Sequence, residues 1–187
     1  LSKIDWNVDG ESIFATASSI PWTAGPTMIA VVDTSGDNFR VVVENDVPMG
    51  MAFQRLAWSP DETQIAYTVA AATDTSVYSV KLNSLMSKKI ARGKSPTWSP
   101  YMDEVAFARD GNIWVKNVET DLESQVTLNL EGADNPQWSP VGDMICFQEQ
   151  GLWLVPSLGG EPKLLARLGG SFNWSATAGQ KIDVVLS

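Results

Sequence analysis

Five tryptophans stand at the head of copies of one ten-residue pattern, and no other feature of the chain constrains its fold as strongly. In the first four copies an Ile or Val follows the tryptophan by seven positions, as in WSPDETQIAY and WSPVGDMICF. In the fifth copy the apolar residue is displaced by one position, to Ile182. The pattern indicates a repeated structural unit, and its copies begin at Trp6, Trp58, Trp98, Trp138 and Trp174.

The spacing of these tryptophans indicates the kind of unit. They lie 52, 40, 40 and 36 residues apart, which is typical of propeller blades, whereas leucine-rich repeats are shorter, at about 20–29 residues. The apolar runs between them are short, β-branched and bounded by turn residues, and they lack the spacing of amphipathic helices. The sequence therefore predicts an all-β fold, a β-propeller of four-stranded antiparallel blades.

The third and fourth copies show the plan of a blade most clearly. Asp110 with Gly111, and Gln150 with Gly151, predict tight hairpin turns in equivalent places, because Gly tolerates the positive φ that such turns need. In the third copy the strands are expected at residues 95–99, 104–108, 112–118 and 124–130. In the fourth they are expected at residues 135–139, 144–148, 152–156 and 162–168.

Three aromatic residues occupy equivalent positions on the third strands of successive blades: Tyr78, Trp114 and Trp153. Stacked sheets need bulky side chains on both faces, so packing between blades is the expected role of these residues. Stacking against a ligand is the alternative.

The chain is expected to hold about four and a half blades of a single propeller domain or propeller segment, as part of a larger ring. A closed ring needs its last blade completed, because open sheet edges invite association. We expect the completing strands to come from residues missing from this sequence or from another chain. The expected blades are residues 1–46, 53–93, 94–131, 133–168 and a partial blade at 170–187.

The motif of these blades resembles a known family. A Trp-Ser-Pro string, an acidic turn, an apolar strand and then a Gly-led strand such as GNIWV or GLWLV resemble the WD-repeat-like blades of TolB and its relatives. Similar blades occur in the propellers of prolyl oligopeptidases and tricorn-type proteases. The resemblance covers the chain from about Ile4 to Ser187. The Ser-Pro-Asp-Gly turn of the family is kept only in part, and its Pro is lost after Trp174.

Composition excludes several classes of function. A net charge of −9 disfavours nonspecific nucleic-acid binding, which needs clustered Lys and Arg. The sequence contains no histidine, so Ser-His-Asp catalysis and histidine-containing zinc sites are excluded within it. No apolar run reaches the length of a membrane span, and no calcium loop, phosphate loop or dinucleotide fingerprint occurs. We therefore expect no catalytic activity, no metal and no cofactor.

The remaining reactive side chains have structural interpretations. Cys146 is the single cysteine and lies in an apolar strand, where it is expected to be a small buried hydrophobe. The acidic residues that follow the tryptophans are expected to be exposed turn residues. These acidic residues are Asp61, Glu62, Asp103, Glu104 and Asp143.

Two irregular loops are the candidate partner-binding region. The insertion at residues 16–27 carries Trp22 outside the repeat frame, and the link that follows carries Met49, Met51 and Phe53. Both are expected to emerge on the same face of the propeller, where an exposed aromatic residue near flexible methionines favours protein binding. The alternative is that Trp22 fills a small core within its own loop.

Three cations extend this candidate face. Lys3 and Arg55 each lie three positions before a tryptophan, and Lys94 lies four before one. These positions approach the mouth of a propeller channel on the same face as the loops, so a basic rim there would receive carboxylates of a partner. Ordinary solvated strand ends are the alternative.

The family resemblance implies the most specific function. It points to a non-catalytic protein-interaction or scaffold module of the bacterial cell envelope, in the periplasm or outside the cell, whose partner is a protein. A rival is the substrate-gating propeller of a serine peptidase whose catalytic domain is absent from this chain. A ligand-sensing propeller of a regulator is the third candidate, since a fold does not determine a function.

Overall fold

A computed structural model describes residues 4–6, 11–17, 28–44, 52–70, 74–101, 103–167, 171–174 and 182–185. The regular structure in these parts of the chain consists of β-strands, which confirms the all-β prediction. The strands form four antiparallel four-stranded sheets and one two-stranded sheet. In each sheet the strands are called A to D in chain order, so A–B and C–D turns lie at one end while B–C turns and D–A links lie at the other.

The strands follow each other along the chain as neighbours within each sheet. The first sheet contains β1 (Ile4–Trp6), β2 (Ser12–Ala17), β3 (Met28–Asp33) and β4 (Arg40–Glu44). The second contains β5 (Ala52–Trp58), β6 (Gln64–Ala70), β7 (Thr75–Lys81) and β8 (Met86–Arg92). The third contains β9 (Lys94–Trp98), β10 (Glu104–Arg109), β11 (Asn112–Asn117) and β12 (Glu123–Gln125). The fourth contains β13 (Asp134–Trp138), β14 (Met144–Gln148), β15 (Leu152–Pro156) and β16 (Lys163–Ala166). The two-stranded sheet contains β17 (Ser171–Trp174) and β18 (Ile182–Val185).

The repeated tryptophan and the apolar residue after it are partners across neighbouring strands. Trp58 pairs with Ile65 and Trp138 with Ile145, which explains the fixed spacing of seven residues. Trp174 pairs with Ile182, so the displaced residue of the fifth copy keeps the same pairing although it lies eight positions after its tryptophan.

A β-bulge recurs three residues before the tryptophan. Arg55, Ser95 and Asn135 all have positive φ, at 47°, 56° and 54°, and the strand register shifts around Arg55 and Asn135. A left-handed conformation is costly for a residue with a side chain and persists where the surrounding structure determines it. The bulge is therefore a shared feature of β5, β9 and β13, and it changes the direction of each of these strands.

The serine that follows Trp58, Trp98 and Trp138 joins strand A to strand B. The backbone N–H groups of Ser59, Ser99 and Ser139 donate to the carbonyls of Gln64, Glu104 and Met144, at 2.9, 2.8 and 2.8 Å. All three serines are buried. Since each carbonyl belongs to the first residue of a B strand, the serine sets where that strand begins.

The chain divides into two compact units, Leu1–Ser95 and Pro96–Ser187. In the first unit a buried apolar cluster joins the first and second sheets through residues such as Val31, Val43 and Ile65. In the second unit an equivalent cluster includes Ala106, Ile113, Trp138, Ile145 and Phe147. Each unit therefore contains two sheets packed face to face over a shared core.

The fourth strand of the third sheet is shorter than predicted. β12 ends at Gln125, whereas the sequence predicted a strand to residue 130. The side chain of Asn112 replaces the ladder: its amide donates to the carbonyl of Leu130 at 3.3 Å, and its carbonyl oxygen accepts from Thr127 Oγ1 at 3.2 Å. The N–H groups of Val126 and Thr127 both donate to the carbonyl of Ile113, and the Asn112 side chain then takes the place of a strand partner for Leu130.

Removal of a repeated tryptophan should destabilise the fold. Trp98 and Trp138 are buried and Trp58 is half-buried, so Trp98→Ala and Trp138→Ala should each lower the free energy of unfolding by about 3–5 kcal/mol. Trp58→Ala should cost less, because less apolar area leaves water. Urea titration followed by far-UV circular dichroism measures these values. Equal stability of wild type and Trp138→Ala would contradict the structural role.

Candidate functional site

The candidate face predicted from the sequence is described only in part. Lys3, Trp22, Met49 and Met51 lie outside the described residues. Phe53 belongs to β5, where its backbone pairs with Val69, and its side chain is also outside the description. The structure therefore gives geometry for the two cations, Arg55 and Lys94, and both are exposed.

Thr68 contacts the chain next to each of these two cations. Gln54, which precedes Arg55, pairs with Thr68 of β6. The hydroxyl of Thr68 accepts a hydrogen bond of 3.1 Å from the backbone N–H of Ser95, which follows Lys94. Thr68 is fully buried, so the bond is shielded from water. The residues next to Arg55 and Lys94 therefore meet at one buried threonine, Gln54 by strand pairing and Ser95 by a hydrogen bond.

Other charged residues at this end of the second sheet make it basic. Arg92 ends β8 and is exposed, two positions before Lys94. Asp74 lies at the same end, and it accepts from Ser76 Oγ at 3.2 Å and lies 3.6 Å from Lys89 Nζ. The sequence analysis missed Arg92 because it lies outside the tryptophan repeat, although its closeness to Lys94 in sequence was visible.

The equivalent end of the second unit is acidic. Asp134 occupies the position four residues before Trp138 and Asn135 the position three before it. The backbone N–H of Glu131 donates to Glu149 Oε1 at 3.2 Å, across a D–A link and a B–C turn. Cations at these positions are therefore a property of the first unit and are not part of the repeat.

The third-strand aromatic residues are used in packing. Tyr78 pairs with Tyr67, and Trp153 with Phe147; Tyr78 and Trp153 each pack against the core of their unit. The Tyr67 and Tyr78 rings stack with centroids 5.8 Å apart. These contacts confirm packing for both residues.

Trp114 is covered by a charged side chain. The guanidinium of Arg109 lies 3.7 Å from the centre of the Trp114 ring and also 2.6 Å from Glu123 Oε1. Such a cation–π contact adds to the attraction of the ion pair. The ring is therefore engaged within its own sheet, and this contact does not support ligand stacking there.

Solved structures with the same arrangement of sheets are β-propeller proteins. A candidate TolB of Agrobacterium tumefaciens is 20% identical with a TM-score of 0.69, over 85% of this chain and 62% of that one. TolB of Acinetobacter baumannii is 19% identical with a TM-score of 0.67, over 83% of this chain and 41% of that one. The chain has the β-propeller fold. Its blades resemble those of TolB, as predicted, and it spans less than two thirds of either TolB structure.

A second comparison points to peptidase propellers. The family described as the dipeptidyl peptidase IV N-terminal region matches residues 70–133, about a third of the chain. Dipeptidyl peptidase 4 of Porphyromonas gingivalis is 19% identical with a TM-score of 0.54, over 77% of this chain and 24% of that one. Among curated proteins, none matches the chain. At these identities the likeness extends to the fold alone.

Two turn acids are bonded to the repeated serines. Ser59 Oγ donates to Asp61 Oδ1 at 2.6 Å, and Ser139 Oγ donates to Asp143 Oδ1 at 2.7 Å. Each hydroxyl also accepts from the N–H that begins strand B, at 2.9 Å from Gln64 and 3.2 Å from Met144. The bond from Ser59 lowers the pKa of Asp61. Asp61 and Asp143 are exposed, and both serve the turn.

Glu104 differs from the sequence prediction. It begins β10, as predicted, but it is half-buried, whereas an exposed acidic residue was expected. Burial raises the pKa of its carboxyl group. The reason is that the sheet continues to the end of the A–B turn, where the carbonyl of Glu104 accepts the bond from Ser99.

The remaining reactive groups are shielded or dispersed. Cys146 is fully buried, as predicted, and burial raises the pKa of its thiol to about 12. Among the described residues, no three Cys, Asp or Glu side chains gather as they would around a metal ion. Within the same residues, no helix is long and apolar enough to cross a membrane.

Asp33 ends β3, beside the C–D turn of the first sheet, and the pKa of its carboxyl group is strongly lowered. Hydrogen bonds from Ser35 and then Asn38 lower the pKa of Asp33 to about 2, from an ordinary value of 3.8. Because the folded-state pKa is depressed, these bonds stabilise the fold above the ordinary pKa, and that contribution is lost as the pH falls towards 2.

Asp33→Asn should therefore reduce stability at neutral pH, and the difference from wild type should shrink as the pH falls from about 5 to about 2. Urea titrations of both proteins across this range measure the difference. Asp37→Asn is the matched control, since Asp37 lies in the same exposed turn. A difference that stays constant with pH would contradict the assignment.

Proposed function

We propose that this chain is a non-catalytic protein-interaction segment of a β-propeller that recognises a partner through carboxylates. The observation that carries the proposal is that the chain neighbours of Arg55 and Lys94, which are Gln54 and Ser95, both meet buried Thr68. These exposed cations, with Arg92 nearby, lie in a chain whose net charge is −9. A local basic region in an acidic protein steers an acidic partner to one place.

The chemistry of the described residues supports a binding role. Catalysis at neutral pH usually needs a histidine, an exposed thiolate or a perturbed carboxyl group in a cleft. The sequence has no histidine, and the thiol of Cys146 is buried with a raised pKa. The turn carboxylates of Asp61 and Asp143 are occupied by serine hydroxyls.

The likeness to TolB favours a place in the bacterial cell envelope. Two TolB structures share the fold over more than four fifths of this chain, and the repeat motif had already pointed to the same family. We assign the protein to the periplasm or the cell exterior, with a scaffold role and a protein partner. Fractionation of the source cells with a compartment marker tests this assignment, and recovery in the cytosol would refute it.

A gating propeller of a serine peptidase is the second candidate. The match of residues 70–133 to the dipeptidyl peptidase IV N-terminal region favours it. A hydrolase domain encoded beside this segment in the full-length gene would support the peptidase role. A gene that encodes a propeller behind an export signal and no hydrolase would support the interaction module.

The candidate face can be tested with a partner purified by affinity capture on this protein. Trp22→Ala should weaken binding by about 2 kcal/mol or more if Trp22 is the aromatic anchor. Arg55→Glu should chiefly slow association, because rim charges act on the encounter rate. Surface plasmon resonance at several salt concentrations separates the two effects.

Lys88→Glu is the matched control for charge, since Lys88 is exposed in the middle of the outer strand β8. It should leave the association rate closer to that of wild type. A Trp22→Ala protein with lowered melting temperature and unchanged affinity would instead place Trp22 in a core of its own loop. In that case the proposed face is wrong.

The isolated chain should have no hydrolase activity and should need no metal for stability. Purified protein should not turn over peptide or ester substrates, and a chelator should leave the melting temperature unchanged. The physical reason is that the sequence lacks histidine and holds a single cysteine. Turnover by highly purified protein, or a large fall in melting temperature with chelator, would contradict the expectation.

A further inference from the structure

An exposed apolar residue recurs in the C–D turn of all four four-stranded sheets. In the first three sheets it comes directly before strand D; in the fourth it lies early in the turn. Turns usually carry Gly, Asn, Asp, Ser and Pro, which satisfy backbone geometry without apolar area. The four residues and their exposed fractions are Phe39 at 62%, Leu85 at 50%, Leu122 at 73% and Leu158 at 100%.

In the second unit, the A–B turns add two more exposed apolar residues at the same end of the sheets. Tyr101 is 72% exposed and Val141 is 51% exposed. The two turns touch: a Cβ built on Gly142 would lie 3.6 Å from Cδ2 of Tyr101 and 3.5 Å from Cγ of Pro100. Tyr101 of the third sheet therefore lies against the A–B turn of the fourth. We call Tyr101, Leu122, Val141 and Leu158 the turn-end surface.

The described charges around the turn-end surface are mainly negative. Lys116 forms a 3.0 Å ion pair with Asp121 and is itself largely covered, which leaves Lys163 as the exposed cation at the start of β16. The carboxylates at this end of the two sheets belong to Asp103, Glu119, Asp121, Asp143 and Glu161.

We propose that the turn-end surface binds a basic amphipathic segment of a partner protein. Its leucine and tyrosine side chains offer the apolar contact, and the surrounding carboxylates attract Lys and Arg. The charge disfavours two other occupants. An anionic lipid surface would be repelled, and a second copy of this chain carries the same net charge of −9.

This surface is separate from the basic candidate face. Lys94 begins β9, where a D–A link enters the sheet, and Arg55 lies at the bulge within β5, so neither residue lies at an A–B or C–D turn. The turn-end surface lies at A–B and C–D turns, which are at the opposite end of a sheet. The inference therefore adds a second binding surface of opposite charge and does not depend on the first.

The test uses the full chain and a fluorescein-labelled peptide of Leu and Lys with helical amphipathic spacing, followed by fluorescence anisotropy. The double variant Tyr101→Ser/Leu158→Ser should raise Kd by about tenfold or more. Glu119→Lys/Glu161→Lys should also weaken binding, and added salt should weaken binding to the wild type. All substituted side chains are exposed, so melting temperatures should stay near that of wild type.

Leu128→Ser is the matched control, because Leu128 is 65% exposed but lies in the D–A link at the other end of the third sheet. It should leave Kd unchanged. Equal losses for Leu128→Ser and the double variant, or no loss for the double variant, would overturn the proposal. So would binding to phosphatidylglycerol vesicles, or self-association in sedimentation that the double variant abolishes.

Discussion

The joint between strands A and B is the interaction on which the rest of this structure depends. The repeated tryptophan pairs with an aliphatic residue of strand B, and the buried serine after it fixes the start of that strand. Trp138 also donates from its indole nitrogen to the carbonyl of Thr97 on β9, at 3.3 Å. Trp138 therefore contacts both its own sheet and the preceding one. Because buried polar groups need partners, this bond also fixes how the two sheets meet.

Function in such a protein is carried by what departs from the repeat. The bulge before Trp58, Trp98 and Trp138 is shared, yet Arg55 occupies it in the second sheet while Ser95 and Asn135 occupy it in the next two. A bulge re-aims the strand wherever it occurs, so the repeat supplies position and the individual residue supplies chemistry. At the positions three and four before the tryptophan, the first unit carries Arg55 and Lys94, whereas the second unit carries Asn135 and Asp134.

The exposed apolar residues of the turns form the basis of the second proposed surface. Single exposed hydrophobic side chains are common and need no explanation. Recurrence in the C–D turn of every four-stranded sheet, with neighbouring A–B turns in contact, is harder to attribute to chance. If both proposed surfaces are used, the first unit offers cations and the second unit offers apolar turns with carboxylates, so the protein can bind two different partners.

Short-range patterns in the sequence determined the strands and turns of this protein. The tryptophan period, the alternating apolar runs and the hairpins at Asp110–Gly111 and Gln150–Gly151 depend on residues close in the chain, so they were predictable. Burial of Cys146 followed from the same patterns. Tertiary structure alone decided that Asn112 bonds to Thr127 and Leu130 beyond the end of β12, that Glu104 is half-buried, and that Thr68 meets both Gln54 and Ser95. These outcomes depend on side chains that meet across strands and sheets, and no local pattern encodes which distant groups will satisfy each other.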